Sequence, residues 1–171
     1  MGRLIPDRIF ANIYEIKPSW LKRHGIKSLI LDIDNTLVTY DDPKPTPKVM
    51  GWFKKIENAG IRVAFVSNND RERVATFNED LGYFGQGKCG KPFGRGIRDA
   101  MEYMGAHHHS TAIIGDQIFT DVLAGKCQHI TAFLVAPIKD KTSLFFRTKR
   151  VLERPFVWYY YLKHKDEKRV F

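Results

Sequence analysis

Two aspartates, Asp32 and Asp34, follow a short apolar run in the segment LILDIDNTL. Because the side chains of a strand alternate between its two faces, residues 32 and 34 point to the same side. Two carboxylates at a strand end can bind a divalent cation, or can divide into one ionised and one protonated partner. An aspartate-rich turn with Asn35 at its corner is the purely structural alternative.

A second polar cluster ends the apolar run IRVAFVSNN, where Ser67 and Asn68 offer a hydroxyl, an amide and backbone N–H groups at a strand-to-helix junction. Such a junction suits phosphate oxygens. In the segment CGKPFG, Lys91 precedes a predicted helix with Pro92 at its start, so its ammonium group can reach the same strand ends. The ordinary alternatives are a capping loop for the serine and a solvated charge for the lysine.

The segment IIGDQIFTD supplies a third pair of carboxylates, Asp116 and Asp121. The Gly-Asp step ends an apolar run and places a carboxylate at the sheet edge without a bulky neighbour. For Asp121, a simple helix cap is the structural alternative, with Thr120 as a competing cap.

An α/β fold is needed to bring these positions together. Four β-rich apolar runs read as buried strands of a parallel sheet, and they cover residues 27–32, 61–67, 111–116 and 131–137. Amphipathic helices alternate with them at residues 46–60, 70–82, 96–105 and 120–127. Strands that alternate with helices predict right-handed crossovers and a three-layer sandwich, whose ligand site lies at the carboxyl ends of the strands.

Together the motifs have the order Asp-x-Asp-x-Thr, Ser, Lys-Pro and Gly-Asp-x-x-x-x-Asp. This order resembles the four motifs of the haloacid dehalogenase-like (HAD) phosphatases, and it spans Asp32 to Asp121. The resemblance implies a three-layer α/β/α Rossmann-like fold with a parallel central sheet. The segments LIPDRIFANIYEIKPSWLKRHGIKSLILDIDNTL, GDQIFTDVLAGK and TKRVLERP are similar to the YqeG-type branch of capless, subfamily IIIA enzymes, which is itself similar to mitochondrial phosphatidylglycerophosphate phosphatases.

By this resemblance, Asp32 would be the nucleophile that forms an aspartyl-phosphate, and Asp34 the general acid that later activates water. Ser67, Asn68 and Lys91 would bind the transferring phosphoryl group. The reaction implied is hydrolysis of a phosphomonoester.

The resemblance also implies Mg²⁺ as the cofactor, held by Asp32, the backbone carbonyl of Asp34 and Asp116. Asp121 would support these ligands or add a further acid to the metal site.

The gaps between the motifs hold only the connecting helices, so we expect no large cap domain. An open site favours a phosphate carried on something large, and phosphatidylglycerophosphate is the leading substrate by resemblance. The alternatives are another phosphomonoester (a nucleic acid end, a phosphoprotein or a small metabolite) or a non-catalytic binding module with the HAD fold. No RNA-binding motif is recognisable, so no DNA or RNA partner is expected. The sequence leaves the oligomeric state open.

We expect three parts in the chain: residues 1–26 as an N-terminal extension, 27–138 as the catalytic core and 139–171 as a basic, aromatic C-terminal segment. The positive charge lies at the two ends, with +4 in residues 1–31. Ten basic and four acidic residues lie in residues 139–171 (+6), whereas residues 32–138 carry −1. Aromatic residues interleaved with basic ones can contact an anionic membrane peripherally, but Phe156, Trp158 and the three tyrosines at 159–161 can equally pack on the core.

Cysteine content and the absence of signal features predict a cytoplasmic protein. Cys89 and Cys127 match no disulfide framework or common zinc spacing, and no stretch is long and apolar enough for a membrane span. The run His107–His109 is expected to be a solvated loop, because three adjacent side chains cannot all point at one ion.

Overall fold

A six-stranded parallel sheet forms the centre of the protein. The computed structural model describes residues 2–139 and 144–170, with no side-chain description for residues 144–147. The strand order is β1-β6-β5-β2-β3-β4, and every pair is parallel. The strands are β1 (Arg8–Phe10), β2 (Ser28–Leu31), β3 (Arg62–Val66), β4 (Phe84–Gln86), β5 (Thr111–Gly115) and β6 (Thr131–Val135).

Helices cover both faces of the sheet, which confirms the three-layer α/β fold. One apolar cluster joins the sheet to α1, α2 and α3, and a second joins the other face to α4, α5 and α6. A π-helical turn, Ile118–Val122, leads directly into α5. The helices are α1 (Pro18–Arg23), α2 (Pro47–Asn58), α3 (Arg71–Asn78), α4 (Gly96–Tyr103), α5 (Leu123–Cys127) and α6 (Leu144–Lys163).

Local sequence determines the ends of α2. The Thr46 hydroxyl accepts a hydrogen bond from the Val49 N–H at 3.3 Å, and Pro47 occupies the first helical position, where no N–H is needed. Gly60 follows the helix with φ +73°, a conformation that glycine adopts without steric cost. The predicted helix is therefore confirmed, together with its cap.

Both edge strands differ from the sequence prediction. Neither β1 nor β4 was predicted, yet Phe84–Gln86 of β4 pairs in parallel with Ala64–Val66. A Cβ atom on Gly85 would lie 2.9 Å from a methyl group of Val74, so the glycine allows α3 to approach β4 closely. Three-residue edge strands carry too little periodicity to be recognised.

The placement of Pro92 at a helix start was also wrong, because α4 begins at Gly96.

The long helix α6 packs on the core. Val157, Tyr160 and Tyr161 are buried in the second apolar cluster, and the Tyr160 hydroxyl donates to Glu167 at 2.6 Å. Tyr160 and Tyr161 thus pack on the core, whereas Trp158 is 59% exposed. Residues 2–139 and 144–170 contain no inserted cap domain, as expected. None of their helices is both long and apolar enough to cross a bilayer.

Candidate active site

The carboxyl ends of the central strands surround a cavity of about 390 Å³. Asp32 and Asp34 follow β2, Ser67 follows β3, and the segment after β5 supplies further polar groups, so the parallel topology alone brings distant motifs to one edge. Six of the seven predicted site residues line this cavity: Asp32, Asp34, Ser67, Asn68, Lys91 and Asp121. The seventh, Asp116, lies beside it in an acidic cluster with two of them.

Asp32 is a buried carboxylate in contact with a buried lysine. Its Oδ1 atom accepts a hydrogen bond from the Lys91 ammonium at 2.8 Å, and its backbone N–H donates to Ile114. Burial raises the pKa of Asp32 to about 7; Lys91 opposes this shift, and the neighbouring Asp121 and Asp116 add to it. The free energy of the ionised form therefore depends strongly on nearby cations.

Lys91 bridges two of the carboxylates. Its ammonium also donates to Asp121 at 2.6 Å. Burial alone would lower the pKa of Lys91, but Asp121 and Asp32 reverse that effect and raise it, so the side chain stays cationic. Asn68 fixes this residue through two hydrogen bonds, from its amide to the Lys91 carbonyl and from the Lys91 N–H to its Oδ1 atom. Lys88 instead forms an exposed ion pair with Asp70, which identifies Lys91 as the lysine of the site.

Three buried carboxylates, Asp32, Asp116 and Asp121, form a candidate metal centre. Each offers an oxygen within 4.8 Å of the others. Among the side chains that the structure describes, Lys91 and Arg150 are the cations in contact with them, so the three carboxylates carry one more negative charge than these two cations neutralise. Burial also raises the pKa of Asp116 to about 6, with Arg150 acting in the opposite direction. A divalent cation can bind to clustered carboxylate oxygens of this kind, and its charge offsets their excess negative charge.

The Gly-Asp step of this centre has a steric cause. A Cβ atom on Gly115 would lie 2.2 Å from the Asp121 carboxyl carbon, so only glycine lets that side chain fold against the strand. The backbone N–H of Gln117 donates to the same carboxylate at 3.2 Å. Asp121 is therefore part of the acidic cluster rather than a simple helix cap.

Asp34 has partners of its own on the other side of the cavity. One carboxylate oxygen accepts hydrogen bonds from Arg73 Nε at 3.0 Å and Nη2 at 2.9 Å, and the other accepts from the Asn69 amide at 2.9 Å. Arg73 also donates to the Pro43 carbonyl, which ties the loop before α2 to α3. The sequence analysis did not identify Arg73 or Asn69, although both lie in the SNNDRER segment directly after Ser67.

Ser67 is buried at the base of the cavity. Its hydroxyl accepts a hydrogen bond from the Asn69 N–H at 3.1 Å, and its backbone N–H is engaged by the Gln86 carbonyl of β4. A hydroxyl can accept one hydrogen bond and still donate its own proton to a ligand oxygen. The unpredicted strand β4 therefore helps to hold this residue in place.

The helix α6 brings a group of site residues that sequence reasoning missed. Arg150 donates to both the backbone carbonyl and the carboxylate of Asp116, and it pairs with Glu153 at 3.2 Å. Lys149 lines the cavity and donates to Gln117. No short motif marks these residues, and the excess of basic residues in the C-terminal segment was their one signal.

The histidine run lies away from the cavity. The run His107–His109 is exposed and precedes β5, at the edge of the sheet opposite the cavity, as the prediction of a solvated loop required. Cys89 and Cys127 are free thiols.

A parallel α/β sheet that carries aspartates, a lysine and a serine at its carboxyl edge is typical of hydrolases that act on phosphate esters. Residues 7–128 match the family model of the haloacid dehalogenase-like hydrolases. Over 150 residues the chain is 38% identical to the Bacillus subtilis (strain 168) protein named Probable phosphatase YqeG, covering 88% of this chain and 87% of that protein. The chain therefore belongs to the haloacid dehalogenase-like hydrolases, and it is a phosphatase of that family.

Solved structures agree on the fold. The cobalt-bound deoxy-D-mannose-octulosonate 8-phosphate phosphatase of Haemophilus influenzae superposes with a TM-score of 0.55 at 20% identity, over 81% of this chain and 91% of that one. An N-terminal part of a Bacteroides fragilis protein, containing a phosphatase domain complexed with Mg, gives 0.50 at 17% identity, over 79% and 43%. Identities this low support the shared architecture alone.

Proposed function

We propose that the protein is a Mg²⁺-dependent phosphomonoesterase that forms an aspartyl-phosphate on Asp32 and acts on phosphatidylglycerophosphate. The observation that carries the mechanism is the position of Asp32, whose buried carboxylate lies at an open cavity between the Lys91 ammonium and the partners Asp116 and Asp121. A buried anion with one bonded cation is a stronger nucleophile than a solvated carboxylate.

In the first half of the reaction, an Asp32 oxygen attacks phosphorus and the substrate oxygen leaves on the opposite side. The leaving oxygen takes a proton from the Asp34 carboxyl, which lies two residues further along the chain and lines the same cavity. Ser67 and Lys91 stabilise the equatorial phosphoryl oxygens by hydrogen bonding and charge.

In the second half, Asp34 accepts a proton from water, which attacks the aspartyl-phosphate and frees Asp32. The contacts of Asp34 with Arg73 and Asn69 hold its carboxyl group in one orientation through both steps. Both proton transfers thus use one carboxyl group in its two protonation states.

Asp32, Asp116 and the backbone carbonyl of Asp34 would hold the Mg²⁺ ion, with Asp121 in contact with Lys91 beside them. When bound, the ion supplies positive charge that offsets the repulsion between the carboxylates and the phosphate. The oxygen-only donor set and its uncompensated negative charge support a hard divalent cation.

The lipid assignment draws its support from the open site and from the exterior of α6. Among the described residues no cap encloses the cavity, so a phosphate carried on a large molecule can enter. The outward face of α6 exposes Val151, Leu152, Trp158 and Leu162 within a segment rich in basic residues. An apolar helix face flanked by positive charge suits peripheral contact with an anionic membrane surface, which would make this a cytoplasmic enzyme working at the bilayer.

The test is phosphate release from phosphatidylglycerophosphate in mixed micelles, with wild type, Asp32→Asn and a metal-free control. If wild type releases phosphate and the two controls do not, the result supports both the aspartyl-phosphate mechanism and the lipid substrate. If no sample acts on the lipid, while p-nitrophenyl phosphate is cleaved in a manner that requires Asp32, the mechanism stands and the lipid assignment is wrong. A panel of nucleotide, phosphopeptide and sugar phosphates at fixed salt then identifies the substrate class.

A further inference from the structure

A second cavity, the α6 groove, lies between α6 and the end of β6 and has a volume of about 430 Å³. Its walls are mainly apolar and come from Leu134, Pro137, Val157, Trp158 and Tyr161. Leu134 and Val157 belong to the buried core, whereas Trp158 is largely exposed and stands at the outer rim. The groove is therefore open to solvent along the helix.

Positive charge borders this apolar surface. Arg150, Arg154 and Arg169 line the groove, together with a single carboxylate, Glu153. Glu153 is already engaged by Arg150 and by the two backbone N–H groups of Ile118 and Phe119. Among the side chains that the structure describes, none forms an ion pair with Arg154 or Arg169. The groove thus combines hydrocarbon contacts with uncompensated guanidinium groups, which fits an anion attached to an aliphatic chain.

Two consecutive residues of α6 line the two cavities. Lys149 lines the reaction cavity, and Arg150 lines the groove while its guanidinium contacts Asp116. From Arg150 to Trp158 the helix rises about 12 Å at 1.5 Å per residue. A ligand whose phosphomonoester lies in the reaction cavity would pass Arg150 to extend its remaining part along the helix.

We propose that the α6 groove binds the diester-linked, acyl-bearing part of the lipid whose terminal phosphate enters the reaction cavity. The identity of that lipid rests on the proposed function. Arg154 is the cation for the phosphodiester, because Arg150 is occupied by Asp116 and Glu153. Trp158, Val157 and Tyr161 contact the first methylene groups of an acyl chain. The groove thereby selects an amphiphilic phosphomonoester over a small metabolite.

The kinetic test uses two exposed groove residues and two matched controls on α4. Trp158→Ala and Arg154→Gln alter the groove, whereas Tyr103→Ala and Arg98→Gln alter exposed positions outside it. Values of kcat/KM are measured for short-chain phosphatidylglycerophosphate and for p-nitrophenyl phosphate. We expect each groove variant to lose about tenfold on the lipid and less than about twofold on the aryl phosphate. The controls retain wild-type values on both.

A binding measurement separates this inference from the proposed function. Short-chain phosphatidylglycerol with brominated acyl chains lacks the terminal phosphate, and we expect it to quench the fluorescence of Trp158. Quenching should weaken in Arg154→Gln and disappear in Trp158→Phe, which retains Trp20 and Trp52 as emitters. Quenching with no turnover of the phosphorylated lipid supports the groove and contradicts the substrate assignment. Absence of quenching, or equal losses of kcat/KM on both substrates, overturns the groove proposal.

Discussion

Glu153 connects α6 to the segment after β5 that carries Asp116 and Asp121, and its substitution should reduce the stability of the protein. Its side chain is 3% exposed, accepts hydrogen bonds from Ile118 N–H at 2.8 Å and Phe119 N–H at 3.3 Å, and pairs with Arg150. Burial raises its pKa, although Arg150 and the two N–H groups act in the opposite direction. In Glu153→Ala, the N–H groups of Ile118 and Phe119 lose their acceptor, and Arg150 loses one of its two carboxylate partners while it keeps Asp116.

We expect Glu153→Ala to reduce the free energy of unfolding by about 3 kcal/mol, the lower end of the cost of breaking a buried ion pair. For a chain of this size that corresponds to a fall in Tm of about 10 °C. Urea denaturation followed by circular dichroism measures the free energy, and scanning calorimetry measures Tm. Because Arg150 also contacts Asp116, phosphatase activity below the new Tm should decrease as well.

Two control variants make this result interpretable. Asp166→Ala removes an exposed carboxylate near the end of α6 and should change stability by less than about 0.5 kcal/mol. Both backbone N–H groups donate to the same Glu153 oxygen, so Glu153→Gln keeps an acceptor for them, loses the charge opposite Arg150 and should fall between wild type and Glu153→Ala. If Glu153→Ala unfolds like Asp166→Ala, α6 does not pack against this loop as described.

Further substitutions test the site itself. Asp34→Asn should lower kcat on an alkyl phosphate about 10³-fold and on p-nitrophenyl phosphate much less, because a good leaving group needs little protonation; equal losses would contradict the general-acid role. Arg73→Ala leaves the Asp34 carboxylate without its guanidinium and should reduce kcat about tenfold with little change in KM, as steady-state kinetics would show. Mg²⁺ at about 100 times its Kd should add about 2.7 kcal/mol to wild-type stability and much less to Asp116→Asn, and equal gains in denaturation curves would place the ion elsewhere. Vesicles rich in phosphatidylglycerol should co-sediment the protein at low salt and release it at about 1 M salt; binding unaffected by salt would exclude an electrostatic contribution.

The sequence alone indicated the central strands and most of the residues of the candidate site, because both have local signals. Buried parallel strands are continuous apolar runs, and their carboxyl ends meet at one edge, so positions 32, 67 and 116 had to converge once the topology was recognised. The cap at Thr46 and the glycine after α2 are equally local signals. The short edge strands β1 and β4 lack such signals, since three residues show no period.

Tertiary partners could not be read from local patterns. Arg73 lies 39 residues from Asp34, and Arg150 lies 34 residues from Asp116, so their contacts depend on how α3 and α6 pack. The sequence likewise left open whether the aromatic tail packs or faces a membrane. The structure shows both environments on one helix, with Tyr160 buried and Trp158 exposed, because these two side chains lie on different faces of α6.

Covalent capture of the phosphoryl group on Asp32 is the central claim, and trapping tests it most directly. Wild type is mixed with p-nitrophenyl phosphate and Mg²⁺, quenched in acid and reduced with borohydride, which converts an aspartyl-phosphate to homoserine. Peptide mass spectrometry should find homoserine at position 32 in wild type and aspartate there without substrate. Efficient turnover with aspartate unchanged at position 32, or with homoserine at position 34, 116 or 121, would contradict the account.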